Sequence, residues 1–360
     1  MRDRDQLLKF RPMRAAIFDE FSSLPEIREL PDPTAGQGSV IIEVKANGIC
    51  RSDWHAWKGH DPTIQLPHVP GHEMSGIISA VGDEIQNVSV GDRVTVPFAC
   101  GCGQCRPCQR GQLHICNNDF QPGFTHWGSF AELVEIHYAD HNVVKLPDEV
   151  DFKTASSLGC RFATAYRAVV QQARISQGQW LAVHGCGGLG TSAILIAKSL
   201  GAMVIAIDID PAKLDLAKGV GADEVINASE VDRVPKRIMQ ITNGGVDASL
   251  DALGSIETSV NSIKSLRKQG RHVQAGLLLG DQAQPDVPMG RVIAYELELL
   301  GSHGMSARDY PEMLQTIVDG KIDPRRLVGR SIPLSDAPQV LAEMGEFRSN
   351  GMTVIEDFSS

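Results

Sequence analysis

Cys50, His72 and Cys160 are the residues of this chain best suited to act together. Cys50 opens the run Cys50-Arg51-Ser52-Asp53-Trp54-His55, and His72 is the centre of Gly71-His72-Glu73. Two thiols and an imidazole drawn from three separate segments can hold Zn²⁺ and leave its fourth position open, the arrangement of a catalytic rather than a structural zinc. A zinc held in this way acts as a Lewis acid and lowers the pKa of a bound water from about 15.7 to about 7, so the pattern points to an enzyme.

A second group, Cys102, Cys105, Cys108 and Cys116, follows C-x2-C-x2-C-x7-C spacing within one short stretch. Four soft thiolates so close together can close a tetrahedral shell around Zn²⁺, leaving no place for a substrate, which is a structural role. Cys100 can in principle stand in for Cys102, although the even two-residue gaps favour Cys102. The competing reading of all these cysteines is a set of disulfides or inert buried thiols; density of this kind without a secretory signal favours metal.

A third pattern, His184-Gly185-Cys186-Gly187-Gly188-Leu189-Gly190, contains G-x-G-x-x-G between an apolar strand and a helix-period segment. Gly185 allows the tight turn, Gly187 lets the backbone approach a pyrophosphate at the helix N-terminus, and Gly190 permits close helix packing. Asp208 ends the next strand at the spacing of about 20 residues at which a carboxylate accepts from an adenosine ribose hydroxyl. A carboxylate there repels a 2′-phosphate, so NAD is favoured over NADP. Lys213 can flank the same ribose or simply face solvent.

The elements that must position these groups fall into two kinds. Short strands broken by turn residues are predicted over 14–18, 40–48, 76–81 and 92–96, with Gly82-Asp83 and Gly91-Asp92 as turn signals and the metal ligands in loops. From about Gln179, strand and helix alternate: a strand over 180–184, a helix over 189–200, a strand over 203–208 and a helix over 211–218, capped by Asp210 with Pro211 in its first turn. Further strands are predicted over 222–226, 246–250 and 270–275, which makes a parallel, doubly wound sheet. From about His303 two more helices, over 308–318 and 337–344, return the chain towards its first part.

The size and charge of the chain exclude several classes. A length of 360 residues, 42% hydrophobic and 22% charged, is that of a soluble two-domain globular protein. A formal charge of −10 argues against nucleic acid as a partner, because phosphate-tracking surfaces need clustered Lys and Arg. No apolar run reaches the roughly 18 residues that a membrane span needs, and Met1-Arg2-Asp3-Arg4-Asp5 lacks the apolar core of a signal peptide, so a cytoplasmic protein acting on a small molecule is expected.

Taken in order, the Cys50-to-His55 run, Gly71-His72-Glu73, the four-cysteine stretch, Leu158-Gly159-Cys160 and the Gly185 turn resemble the zinc-dependent alcohol dehydrogenases of the medium-chain dehydrogenase/reductase family. The resemblance implies an α/β fold. A GroES-like, β-rich catalytic domain would be made of residues 1–161 and 303–360, with a structural zinc lobe at about 98–118, around a Rossmann NAD-binding domain of residues 162–302. It implies two Zn²⁺ per chain, NAD as cofactor, and hydride transfer between a primary or secondary alcohol and NAD, with an aldehyde or ketone reduced in the reverse direction.

The same resemblance implies residue roles. Ser52 would pass the alcohol proton on and His55 would release it to solvent, a relay suited to an imidazole that titrates near neutrality; a surface histidine is the competing reading of His55. Asp53 would orient His72, with Glu73 behind the metal. Arg51 would pair with the pyrophosphate and Thr164 would lie beside the nicotinamide, with backbone groups of Ala275, Leu277 and Ser302 on the carboxamide. Trp57 and Phe98 match pocket-lining aromatics, with His126 and Trp127 approaching from the next loop, unless they fill core.

Arg161 departs from the family, which has a small residue there; contact with the cofactor, contact with a polar substrate group and an outward-facing ion pair all stay open. Cys50 to Gly59 and the short passage from Cys116 to Gly128-Ser129-Phe130-Ala131-Glu132 look closer to the tetrameric yeast and bacterial branch than to the dimeric liver branch. A homotetramer is implied, with a dimer as the alternative. The alternatives in function are a specialised polyol or formaldehyde-type dehydrogenase of the same family and a non-catalytic zinc- and NAD-binding redox sensor. Ser52, His55 and Asp53 speak against the sensor, since sensing needs no proton relay.

Overall fold

The structure, a computed structural model, describes residues 12–346 and 351–359; the charged start Met1-Arg2-Asp3-Arg4-Asp5 lies outside them. Six parallel strands form one sheet in the order Glu224–Asn227, Met203–Asp208, Trp180–His184, Val246–Asp251, Leu266–Gln274, Glu298–Gly301. The chain therefore starts in the middle, winds outward, and returns to wind the other way, which is the doubly wound Rossmann arrangement with its crevice at the reversal. Leu181, Ala182, Val183 and His184 of the central strand are all buried, as a strand covered by helices on both faces must be.

Local chemistry sets the helix ends of this unit. Asp210 accepts the Ala212 N–H at 2.9 Å, Pro211 opens Pro211–Val220, and Gly221 closes it at φ +121°. Gly188–Ser199 is buried over most of its length because it packs between the Rossmann sheet and the helical run 152–172.

The other large sheet is organised around one long strand, Val40–Ile49, which pairs with Glu73–Val81, Leu133–Ile136 and Met352–Asp357. Val328–Pro333 pairs with Met352–Asp357, so strands from the last part of the chain complete a sheet begun by the first part. Met13–Ile17 and Glu26–Leu30 form a separate antiparallel pair.

The placement of the expected ligands in loops needs correction. Arg51–Trp57 is a helix with Cys50 as its N-cap, so Ser52, Asp53 and His55 ride on a helix. The reason is Asp53, whose carboxylate reaches back to accept the Cys50 N–H at 2.8 Å and sits where the helix dipole favours negative charge. Cys160 lies in Leu158–Phe162, a widened π-type turn within the helical run, a feature that recurs at functional sites. That turn is anchored from the C-terminal part of the chain: the fully buried Tyr310 donates its hydroxyl towards the carbonyls of Leu158 and Gly159, 3.3 Å from each.

Tyr310→Phe is expected to keep the packing and lose this anchor, at a cost of about 1 kcal/mol in denaturant unfolding. An unchanged unfolding midpoint would show that the hydroxyl holds nothing.

Candidate active site

Asp53 is the first residue to consider, because its buried carboxylate takes three N–H groups from different segments. Oδ2 accepts the Cys50 N–H at 2.8 Å, and Oδ1 accepts the Gly71 N–H at 3.1 Å and His72 Nδ1–H at 2.7 Å. A carboxylate only accepts, so Nδ1 carries a proton, and in the neutral ring Nε2 is left with a lone pair. That Nε2 is buried and has no hydrogen-bond partner among the described residues. Burial pulls the His72 pKa down, but Asp53 and Cys50 outweigh it and hold it well above the usual value; a cation at Nε2 would take the place of that proton.

Gly71 is a glycine of necessity. It sits at φ +107°, and a Cβ there would come within 2.5 Å of the Phe130 backbone nitrogen. The turn it allows delivers His72 to the sulfurs: donor atoms of Cys50, His72, Glu73 and Cys160, all buried, lie within 4.8 Å of one another. The hydrogen bond from Cys160 is the main reason the Cys50 thiol ionises well below its usual range, and the same bond leaves the proton on Cys160. An ionised thiol, a second thiol and an orphaned imidazole nitrogen fit a soft divalent cation such as Zn²⁺.

Glu73 belongs to this group of atoms but is already engaged. Its Oε1 accepts the Arg161 backbone N–H and Nε–H, both at 3.1 Å, and its Oε2 is paired with Arg161 Nη2. Burial raises the Glu73 pKa, and Arg161 opposes the rise. Gly48 makes room for the pair, since a Cβ there would stand 2.6 Å from Glu73 Oε2. Arg161 is thus in an ion pair, but one that faces inward.

Cys102, Cys105, Cys108 and Cys116 form a second cluster, with donor atoms within 4.8 Å of one another. The Cys105 Sγ lies 3.4 Å from that of Cys108 and 3.6 Å from that of Cys116. A tetrahedral Zn–S shell places sulfurs about 3.8 Å apart, so the spacing fits that ion without rearrangement. Backbone N–H groups of Asn117 and Cys108 lead in pulling the Cys105 thiol down to about 6. No described cysteine is in a disulfide, and Cys100 stands apart, its Sγ donating to the Pro97 carbonyl at 3.3 Å.

Ser52 lies beside the first cluster, its Oγ 3.8 Å from Cys50 Sγ. His55, one helical turn on, has Nδ1 2.9 Å from His60 Nδ1. Burial, then Arg51 and His60, push the His55 imidazole down to about 4, more acidic than the near-neutral value expected of a relay. It is therefore neutral and able to accept a proton at pH 7. The Arg51 guanidinium stacks 4.1 Å from the Trp54 ring centroid and donates to the Met344 carbonyl.

Of the expected pocket aromatics, only Phe98 reaches the cluster, with its ring 6.2 Å from that of His72. Trp57 fills the core beneath the helix, donating to the Ser23 carbonyl, and Trp127 is 40% exposed with Nε1 on the Pro67 carbonyl. Two rings not expected at the site are there: Phe124, 5.0 Å from His72, and His303, 5.2 Å from Phe98. Neither carries a local signal, because each arrives from a loop placed only by tertiary packing.

In the glycine turn, Gly185 has φ +94°, and a Cβ on Gly190 would stand 1.9 Å from the Gly185 carbonyl oxygen. A Cβ on Gly187 would meet nothing within 4 Å, so that face of the turn is open. Asp208 accepts the Cys186 N–H at 2.8 Å, tying the turn to the next strand. Thr164 and Ser302 are buried together, Ser302 Oγ donating to the Thr164 carbonyl at 3.4 Å, while Leu277 is half exposed beside Gly254.

Residues 36–148 match the family described as the alcohol dehydrogenase GroES-like domain, and residues 188–319 match the zinc-binding dehydrogenases. An alcohol dehydrogenase of Geobacillus stearothermophilus is 32% identical over 346 residues, spanning 96% of this chain and 99% of that protein. An NAD-dependent alcohol dehydrogenase of Sulfurisphaera tokodaii is 33% identical over 355 residues, spanning 95% and 99%. The solved alcohol dehydrogenase of Thermus sp. ATN1 superposes with a TM-score of 0.88 at 28% identity, covering 96% of this chain and 99% of that one. Both matches are to parts of dehydrogenases, so the class of the chain is oxidoreductase. Within that class the chain belongs to the zinc-dependent alcohol dehydrogenases of the medium-chain dehydrogenase/reductase family.

Asp53→Asn removes a carboxylate that no amide can replace as acceptor of three N–H groups. Metal affinity at the Cys50–His72–Cys160 site is expected to fall about 10- to 100-fold in chelator competition while the four-cysteine site keeps its metal. Equal retention at both sites would contradict the orienting role.

Proposed function

We propose that the protein oxidises a primary or secondary alcohol with NAD⁺, and reduces the carbonyl in reverse, using one zinc at Cys50, His72 and Cys160 and a second, structural zinc at Cys102, Cys105, Cys108 and Cys116. The observation that carries this reading is the orphaned His72 Nε2, buried and aimed among the two thiols. Once bound, zinc supplies Lewis acidity to the substrate oxygen and NAD⁺ supplies the acceptor for hydride.

The chain supplies the rest. Asp53 keeps Nδ1 of His72 protonated so that Nε2 is the donor, and Arg161 keeps both Glu73 oxygens occupied. Ser52 Oγ is placed to take the substrate hydroxyl proton, and His55, neutral above about pH 4, to release it to solvent. Phe98 and Phe124 give the reacting carbon an apolar wall. Gly185, Gly187, Gly188, Leu189 and Gly190 form the pyrophosphate turn, and Asp208 the ribose contact that favours NAD over NADP. Lys213 and Arg51, with Thr164, Ala275, Leu277 and Ser302, complete the cofactor's surroundings.

This reading keeps the division into residues 1–161 with 303–360, and 162–302, and it keeps the homotetramer. Leu277, Leu279, Met289, Ile293 and Leu299, exposed in the strand Glu298–Gly301 and the segments next to it, are surface that a subunit contact would cover. Among the described residues no helix is long and apolar enough to cross a membrane.

NADH absorbance with primary, secondary, benzylic and polyol substrates, offered with NAD⁺ and NADP⁺, tests the reading. Turnover with NAD⁺ is expected to vanish in Cys50→Ala and His72→Ala. A wild-type protein that binds NADH and two zinc ions yet turns over none of the panel would instead be a sensor.

His55→Ala is expected to slow alcohol oxidation by about 10-fold or more near pH 7. The loss should shrink at alkaline pH, where the proton leaves without help. Parallel pH–rate profiles for the two proteins would remove His55 from the proton path.

A further inference from the structure

Arg161 is the buried ionisable group that the proposed chemistry leaves half used. Its Nε and Nη2 are committed to Glu73, whereas Nη1 makes no hydrogen bond to any described residue. The side chain is only 12% exposed, so this spare donor is not simply rotating in solvent. It lies against the glycine turn: a Cβ on Gly188 would stand 2.6 Å from Arg161 Cδ and 3.3 Å from Nη1. Gly188 is the first residue of the twelve-residue helix Gly188–Ser199, whose N-terminus carries unsatisfied N–H groups and the positive end of the dipole.

A guanidinium beside a helix N-terminus brings two positive ends together, an arrangement that an anion seated between them stabilises. Glu73 cannot be that anion, because both its oxygens lie on the Nε–Nη2 edge of the fork. A diphosphate on the turn would meet Nη1 from the other side, and an arginine fork can serve two anions at once where a lysine cannot. We propose that Arg161 is a positioning residue for the dinucleotide: Nη1 binds its diphosphate while Nε and Nη2 hold Glu73, so that one guanidinium joins the cofactor turn to the carboxylate beside the metal donors. The inference rests on the reading of the Gly185 turn as an NAD site.

The test uses the double variant Arg161→Gln with Glu73→Gln, because removing one partner alone would strand a buried charge. Dissociation constants are measured for NADH by fluorescence, and for ADP-ribose and adenosine by competition. The variant is expected to bind NADH and ADP-ribose at least about 10-fold more weakly, and adenosine, which lacks the diphosphate, within about twofold of wild type. NADH binding within about twofold of wild type overturns the inference, and so does an equal loss for all three ligands, which would report general damage to the site.

Should the double variant not fold, Arg161→Lys takes its place, with a several-fold loss expected for the same two ligands and no loss overturning the inference. A wild-type protein that binds neither NADH nor ADP-ribose would instead refute the NAD reading itself.

Discussion

The Asp53 carboxylate caps the helix that begins at Cys50, holds the Gly71 turn and sets the tautomer of His72. These contacts are coupled, because the helix that begins at Cys50 and the Gly71-His72 segment are otherwise free to move relative to each other. A buried carboxylate without partners would be strongly disfavoured, and with three N–H donors it becomes a fixed point. Cys50 and His72 are therefore held on one shared support, the kind of surrounding contact that orients metal ligands. Cys160 sits on a π-type turn that Tyr310 anchors and that Glu73 also holds through the Arg161 N–H, so the site depends on packing between the early and late parts of the chain.

Charge is the second constraint on the same volume. Two thiolates would cancel a divalent cation, and a neutral imidazole adds nothing. Glu73 would then leave the site with a net negative charge, and it lies close enough to the other donors to compete for the position a substrate must use. Arg161 answers both problems by occupying both Glu73 oxygens and neutralising them. A buried ion pair is weak evidence for stability, and this one lies between the Cys50–His72–Cys160 group and the Gly185 turn.

Much of this was legible in the sequence where the signal is local or depends on residue type. The cysteine spacings, Gly71-His72-Glu73, the glycine turn and Asp208 each carry their chemistry in a few adjacent residues, and the central Rossmann strands Trp180–His184 and Met203–Asp208 announce themselves as buried apolar runs. Strands such as Leu133–Ile136, Glu298–Gly301, Val328–Pro333 and Met352–Asp357 were not legible, because their partners lie far along the chain and several of their residues are exposed. The helix Arg51–Trp57 passed for a loop: it is seven residues long, and its start is signalled only by Asp53 reaching back to a cysteine. Residue type alone could not say that Trp57 fills core while Phe98 faces the site. Nor could it supply a partner for Arg161, since the pairing with Glu73 exists only once two distant segments have met.

The two cysteine clusters differ in how they depend on the surrounding fold. Cys102, Cys105, Cys108 and Cys116 lie in one short stretch whose regular structure is two helical turns, Arg106–Gln109 and Leu113–Ile115, with Cys102, Cys108 and Leu113 buried against the core and backbone N–H groups directed at the sulfurs. Small zinc modules gain their fold from the ion, so a metal here would contribute chiefly to structure. Cys50, His72 and Cys160 are held instead by a capped helix, a glycine turn and a packed π-type turn, each of which is satisfied by protein contacts alone. A metal at the four-cysteine cluster would tie one stretch to itself, whereas one at Cys50, His72 and Cys160 would be held by three separate elements of the fold. On the proposed reading, that contrast is why only the three-donor site would leave a coordination position open: four sulfurs fill a tetrahedral shell, and three donors do not.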